Sequence, residues 1–221
     1  MSLNNNIQNL QNIISSLEGK VAGGSGENVL LYATGLQYTY MNSVFPTGTE
    51  LEINAPNASG DLSSLLTAAT GVKKLVLKGN DADNAVTFRQ CFYRNQEIEV
   101  VDFSQFGSCK VERFNSIAQQ ATNLREIIGV FDFTGCVEIN KPFTQAYALE
   151  EFRIKEGTLS LSLDMAHCSW LSDATVQSII DGLANLSGQT TQTLTLHTNV
   201  GAKLIPDQIA FAEAKNWTLA Y

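Results

Sequence analysis

The side chains most capable of chemistry in this chain of 221 residues are four cysteines and two histidines. No two cysteines form the close Cys-x-x-Cys pair that marks a zinc site. His167 and Cys168 stand near Asp164, but adjacent side chains point in different directions, and Cys–His pairs normally meet through the fold. The sequence therefore predicts no catalytic residue, no metal and no cofactor. We expect the cysteines to be small buried apolar groups: Cys91, Cys109, Cys136 and Cys168.

Composition and charge exclude several classes of function. The chain is 44% hydrophobic and 16% charged, which is typical of an ordered domain. Its formal net charge of −8 opposes binding to nucleic acid or to an anionic membrane, because both require clustered Lys and Arg. No apolar run approaches the roughly 18 residues of a membrane span, and the polar start lacks the positive charge of a secretory signal. We expect neither nucleic-acid binding nor membrane insertion.

A repeat of about 25 residues organises the middle of the chain. Five short segments with a similar apolar pattern begin 24, 26, 26 and 25 residues apart, at Gly48, Val72, Ile98, Leu124 and Leu149. A second apolar register lies ten and six residues before each of the last four starts. This period falls within the leucine-rich-repeat range of roughly 20 to 29 residues.

Each repeat is predicted to contain a strand, a loop, a short helix and a second loop. Lys74–Lys78 alternates as a strand does, whereas Val86–Phe92 places apolar residues three and four apart, as on one helical face. The predicted fold class is α/β, a solenoid of parallel strands and short helices. One buried column should hold Leu51, Leu75, Val101, Ile127 and Phe152. Stacking would also bring Cys109 near Cys136, so a disulfide or a metal there is an alternative to simple burial.

The outward side chains of the predicted strands form ladders that constitute a candidate binding surface. Each ladder consists of residues at equivalent positions of successive repeats. The first ladder begins with Glu50 and then Lys74, whereas the second begins with Glu52 and ends with Ile128 and then Arg153. This surface would recognise a protein or a glycan; the alternative is a solvated face whose charges keep neighbouring chains from pairing. The candidate residues are Lys74, Val76, Lys78, Val100, Asp102, Glu126, Ile128, Glu151, Arg153 and Lys155.

Residues 1–21 have the pattern of a coiled-coil helix. Their apolar residues are spaced alternately four and three apart: Leu3, Ile7, Leu10, Ile14, Leu17 and Val21. Such a seam predicts self-association as a dimer or a trimer. The alternative is an amphipathic helix that packs on its own domain. The Gly-rich segment 22–27 is a predicted flexible linker.

Both ends of the solenoid are predicted to be capped, by residues 28–47 and 171–221. The first cap would contain strands at Val29–Leu31 and Leu36–Tyr40, with its aromatic residues covering the core or, alternatively, forming a ligand platform. In the second cap, Ser172 or Asp173 should cap a helix that ends near Gly188. A strand at Thr193–His197, a helix from Pro206 and a last strand at Trp217–Leu219 complete a βαβ-like cap.

The repeats at 48–170, with Phe-bearing turns such as Phe88–Phe92 and Pro142–Phe143, resemble BspA-like leucine-rich repeats. The segments Leu171–Leu186, Gln192–His197 and Asn216–Leu219 are similar to the closing part of leucine-rich-repeat proteins encoded by phages and prophages of gut-type bacteria. The chain departs from the family in its slightly longer period and in Gly129, which interrupts the fourth strand.

The resemblance implies a non-enzymatic function in adhesion or structural display, and it brings no catalytic residues. The expected protein is a phage or prophage virion component, in a tail, a fibre or a head decoration, made in the bacterial cytoplasm. Its expected partners are itself, other virion proteins, and a host-surface protein or glycan. The alternative is a cytoplasmic bacterial scaffold that binds proteins through the same sheet.

Overall fold

The computed structural model describes residues 28–32, 39–54, 60–79, 85–107 and 109–221. The predicted coiled-coil helix and its linker lie outside these residues. The described chain is mixed α/β, and its strands pair in parallel. In chain order the strands are β1 Asn28–Tyr32, β2 Val44–Asn54, β3 Thr70–Lys78, β4 Val86–Thr87, β5 Val100–Gln105, β6 Cys109–Asn115, β7 Glu126–Asp132, β8 Glu138–Asn140, β9 Glu151–Ile154, β10 Leu163–Met165, β11 Gln192–Leu196 and β12 Trp217–Ala220.

The predicted repeat strands form the first sheet, with the order β1-β2-β3-β5-β7-β9. Side chains alternate along these strands, so every second residue faces the core. Leu51 is in register with Leu75, Leu75 with Val101, and Val101 with Ile127. These four residues and Phe152 are at most 1% exposed. The predicted parallel strands and their buried column are thus confirmed.

A second sheet is made of β4, β6 and β8. Along the chain these strands follow β3, β5 and β7 of the first sheet, so they lie where each repeat returns. Strand β6 joins the two sheets because Cys109 and Lys110 also pair with Phe131 and Asp132 of β7. Phenylalanines fill the space enclosed by the curled sheet. Ring centroids of Phe114 and Phe133 lie 5.1 Å apart in an edge-to-face arrangement, a favoured geometry for aromatic pairs.

The predicted short helices of the repeats are wrong: within the described part of 48–170, their place is taken by turns. Each turn holds two residues with left-handed backbone four positions apart, such as Gln90 and Arg94. The N–H groups of Phe88 and Gln90 donate to the next repeat, at Arg113 O and Asn115 O, both at 2.8 Å. A helix would consume these donors internally. The turns retain the apolar spacing of a helical face, and Phe88 and Phe92 are buried as predicted.

The N-terminal part of the described chain continues the stacking. Strand β1 contains the predicted Val29–Leu31 and pairs with β2, which begins at Val44, inside the predicted cap. Of the second predicted strand, Leu36–Tyr40, only the last two residues are described, and they lie in a turn. The reason is that Tyr40 N donates to Leu65 O at 3.0 Å, which stacks this turn on the first repeat turn. Burial of Tyr40 raises the pKa of its hydroxyl to about 12.

The C-terminal segment contains the three described helices, α1 Asp173–Gly182, α2 Thr198–Gly201 and α3 Pro206–Ala214. They connect the parallel strands β10, β11 and β12. Ser172 is the N-cap of α1, as predicted, and its Oγ accepts from Thr175 N at 3.1 Å. The helix ends at Gly182 rather than near Gly188 because Leu183 leaves it to bridge with Leu159. The predicted strands Thr193–His197 and Trp217–Leu219 match β11 and β12 to within one residue at each end, and α3 begins at the predicted Pro206.

Candidate functional site

The outward side of the first sheet brings the predicted binding residues together. We call this surface the outer face. One ladder runs through register partners Glu50, Lys74, Val100, Glu126 and Glu151. A second runs through Glu52, Val76, Asp102 and Ile128. Each of these side chains is partly or largely exposed. The sequence thus predicted the neighbours on this face correctly up to β7.

Arg153 does not follow Ile128 as predicted; its register partner is Val130. The register shifts between Glu126 and Val130, so β7 contains two residues with no counterpart in β9. Gly129 lies in this shift with φ of +136°, a region that L side chains rarely adopt. The shift carries Val130 onto the surface, where 58% of the residue is exposed.

Most of the predicted cationic groups on the outer face are already paired with acids. The Lys78 Nζ lies 2.8 Å from Glu52, and the Lys155 Nζ lies 2.7 Å from Asp132. Arg153 lies 3.2 Å from Glu151. Of the four predicted cations, only Lys74 lacks an ion pair within the described chain. The face therefore offers little free positive charge to a partner.

Aliphatic groups stand between these charged pairs. Val76 and Val100 are partly buried, whereas Ile128 is 38% exposed and Val130 58% exposed. Exposed aliphatic groups that lie together, surrounded by charge, are typical of a protein contact surface.

An open polar groove of about 530 Å³ lies on the second sheet, on the opposite side of the repeats. We call it the second-sheet groove. Its described lining carries carboxylates, guanidinium groups, amides and hydroxyls. The lining residues are Asp61, Ser63, Thr87, Arg89, Gln90, Glu112, Arg113, Asn115, Ser116, Glu138 and Asn140. No sequence pattern marks this groove, because its residues come from successive repeats and none belongs to a recognisable motif.

The cysteines form neither a disulfide nor a metal site among the described residues. All four are buried free thiols, and because Cys109 and Cys136 are not bonded, the alternative of a disulfide between them is wrong. Burial raises the pKa of the Cys109 thiol to about 12 and also raises the pKa of the Cys168 thiol, which keeps both protonated. The ring of His167 contacts Tyr147, with centroids 5.9 Å apart. His197 caps α2, where its Nδ1 accepts from Asn199 N at 3.1 Å.

The two tryptophans have opposite environments. Trp217 is 3% exposed, and its indole N–H donates to Ala184 O at 2.9 Å, so it belongs to the core. Trp170 is 70% exposed and borders an open hollow with Asn199 and Lys203. No periodic pattern distinguishes Trp170 in the sequence.

No family model, curated protein or solved structure matches this chain. Within the described residues, every helix is too short or too polar to cross a lipid bilayer.

Proposed function

We propose that this chain is a non-enzymatic leucine-rich-repeat solenoid of the BspA-like type, which attaches to a partner through the outer face. The repeat period and the parallel register of the first sheet support the assignment to this class. The observation that carries the binding function is the group of exposed aliphatic side chains on the outer face, above all Ile128 and Val130. Because the nearby cations are paired with acids, contact between apolar surfaces supplies the affinity and charge supplies the orientation.

The proposed setting is a phage or prophage virion, in a tail, a fibre or a head decoration. The resemblance of residues 171–221 to the closing part of phage-encoded repeat proteins supports this setting. The second candidate is a cytoplasmic bacterial scaffold that uses the same face.

Labelled full-length protein mixed with intact cells of the producing bacterium tests the outer face. Replacing Ile128 and Val130 together by Asp should abolish cosedimentation with the cells, because two carboxylates would have to be desolvated in the contact. Val137→Asp is the matched control, since Val137 is 61% exposed but lies outside the outer face. Equal loss in both variants, or no loss in the double variant, would refute the role of this face.

Particles purified from an induced culture distinguish the virion from the scaffold. Mass spectrometry should find this chain at a fixed ratio to the major structural proteins of the particle. Recovery of the chain only in the particle-free fraction would reject the virion and leave the scaffold.

The proposed route of assembly is self-association through residues 1–21, for which the sequence predicts a coiled-coil helix. Deletion of residues 1–26 should lower the mass measured by light scattering to that of a single shortened chain, while the circular-dichroism spectrum keeps its strand signal. An unchanged number of chains per particle would show that this segment does not drive assembly.

A further inference from the structure

The second-sheet groove is built from equivalent positions of successive repeats. Asp61 bridges Thr87, Thr87 is in register with Arg113, and Arg113 is in register with Glu138. Asn115 and Asn140 form a second row beside the first. Neighbouring strands lie about 4.8 Å apart. The groove therefore presents polar groups at a regular spacing across the strands.

Hydrogen bonds between repeats hold these polar groups in place. Arg113 lies 2.6 Å from the Glu138 carboxylate, and Thr87 Oγ1 donates to Glu112 at 3.0 Å. The Asn115 amide also donates to Glu138 and, with Arg113, lowers the pKa of that carboxyl. The ion pair remains accessible, since the side chains of Arg113 and Glu138 are 45% and 42% exposed. A ligand would thus meet preorganised donors and acceptors.

One acceptor in the groove is left over. Asn115 Oδ1 is buried and has no hydrogen-bond partner among the described residues. A buried amide oxygen without a donor is unfavourable, and native structures usually satisfy such an atom with a water or a ligand. Because Asn115 lines the groove, a rotation of its side chain amide would bring this oxygen to a donor from outside the chain.

The chemistry of the lining selects the class of ligand. Three carboxylates and two guanidinium groups nearly cancel, so a strongly charged ligand gains little. The described lining contains no aliphatic or aromatic side chain, which disfavours lipids and apolar peptides. Hydroxyl groups act as both donors and acceptors, and they match this mixture of amides, carboxylates and guanidinium groups.

From this arrangement we infer that the second-sheet groove binds an uncharged linear oligosaccharide that lies across β4, β6 and β8. The strand spacing is close to the length of one pyranose residue, so successive sugar rings would meet equivalent positions of successive repeats. This site lies apart from the outer face, and the inference stands whether or not the outer face binds a partner.

Titration of the full-length protein with a panel of hexasaccharides tests the inference. The neutral probes are cellohexaose, maltohexaose, laminarihexaose, xylohexaose and chitin hexamer, and the acidic probe is a galacturonic acid hexamer. At least one neutral probe should bind in calorimetry. In nitrogen–proton correlation spectra it should shift the amide signals of 111–115 and 138–140 more than those of the outer face. Binding by the acidic probe alone, or by no probe, overturns the inference.

The chain provides a matched pair of variants. Arg113 and Arg125 are both exposed arginines, each paired with a glutamate 25 residues further on, at 2.6 Å and 3.0 Å. Only Arg113 lines the groove. Arg113→Gln should weaken the affinity for the saccharide by about tenfold, the usual effect of one charged hydrogen bond. Arg125→Gln should leave this affinity unchanged. Equal weakening by both variants, or binding that survives both Arg113→Gln and Asn115→Ala, overturns the inference.

Discussion

The repeats and the C-terminal segment differ in the structure that follows each strand. Both must return the chain after each strand and bury an apolar face. In the repeats, the return contains left-handed residues such as Gln90 and Arg94, and alternate N–H groups donate to the next repeat. In the C-terminal segment, α1 and α3 make the return and satisfy their own backbone donors. The repeat design needs a neighbour on each side, whereas the helical design does not.

Helix α1 lies where the next strand of the first sheet would stand. It begins 24 residues after Leu149 (173 − 149), close to one period, and packs against β9. Its hydroxyls replace the missing strand: Phe152 N donates to Thr175 Oγ1 at 3.2 Å, and Ile154 N donates to Ser178 Oγ at 3.1 Å. Two side-chain acceptors thus satisfy an edge that would otherwise be open to another chain. The first sheet therefore ends where side chains of a helix, rather than a further strand, accept hydrogen bonds from its last N–H groups.

We expect the greatest loss of stability from a substitution in the core of the repeats. Phe92 is fully buried and packs against Phe103, with ring centroids 6.2 Å apart. Phe92→Ala should lower the free energy of unfolding by about 3–5 kcal/mol, because it leaves a cavity between stacked repeats. Urea unfolding followed by fluorescence measures it. Phe211 of α3 is 39% exposed and serves as the control; a similar loss for Phe211→Ala would contradict the contrast between the regions.

Two glycines test how closely each region packs. A Cβ at Gly71 of β3 would lie 2.0 Å from Phe45 O, a backbone atom, and φ is +85°. The three atoms nearest to a Cβ at Gly201 of α2 would belong to the Tyr221 side chain, with Cγ at 2.1 Å and Cβ at 2.4 Å, and Tyr221 is 56% exposed. We expect Gly71→Ala to destabilise by about 2–4 kcal/mol through the left-handed backbone and overpacking. Gly201→Ala should destabilise less than Gly71→Ala, because its backbone is not left-handed and an exposed side chain, rather than a packed backbone carbonyl, must shift.

Thermal unfolding of both glycine variants provides the measurement. A smaller loss for Gly71→Ala than for Gly201→Ala would show that the repeats tolerate backbone displacement better than the helical segment does.

The sequence predicted the repeat strands because alternation along a strand reports burial directly. Leu75 and Leu77 face the core while Lys74 and Val76 are partly exposed, as the pattern requires. The turns were missed because apolar residues three and four apart fit a helix and a left-handed turn alike. Neither Gln90 nor Arg94 is a Gly or an Asn, the residue types that usually signal positive φ.

The surfaces were predicted only in part, for a related reason. The repeat period predicts that Arg153 lies beside Ile128. The register shift at Gly129 adds residues to β7 that the period does not predict. The second-sheet groove depends on contacts among residues about 25 apart, such as Thr87 and Glu112. Each of these residues alone is an ordinary surface residue in the sequence.

The hydroxyl groups of α1 that accept hydrogen bonds from β9 lead to a prediction of an intermediate loss of stability. Thr175→Val keeps the shape of the side chain but leaves Phe152 N without its acceptor and removes the hydrogen bond from Thr175 to Glu151, so we expect a loss of about 1–3 kcal/mol. Hydrogen exchange should show faster exchange of the Phe152 amide, and urea unfolding should show the loss of stability. Thr218→Val, at an exposed position in β12, should change stability by less than about 0.5 kcal/mol. Unaltered exchange at Phe152 would mean that α1 does not satisfy the edge.

The smallest expected effect is the pH dependence at the junction of the two regions. Burial alone would raise the pKa of Glu151, but hydrogen bonds from Ser172 and Thr175 and the charge of Arg153 outweigh it, so the pKa lies below its usual 4.5. A lowered pKa means that the folded state favours the ionised carboxylate. Its contribution to stability is therefore fully present above pH 4.5 and is lost as the pH falls through the folded-state pKa.

Glu151→Gln should accordingly reduce the slope of unfolding free energy against pH below about 4.5, since the variant cannot titrate there. Urea midpoints across this pH range give the slope. Glu126→Gln is the control, because Glu126 is the register partner of Glu151 on β7 and lies one strand further from α1. A larger change of slope in Glu126→Gln would place the acid-sensitive contact within the repeats rather than at their junction with the helical segment.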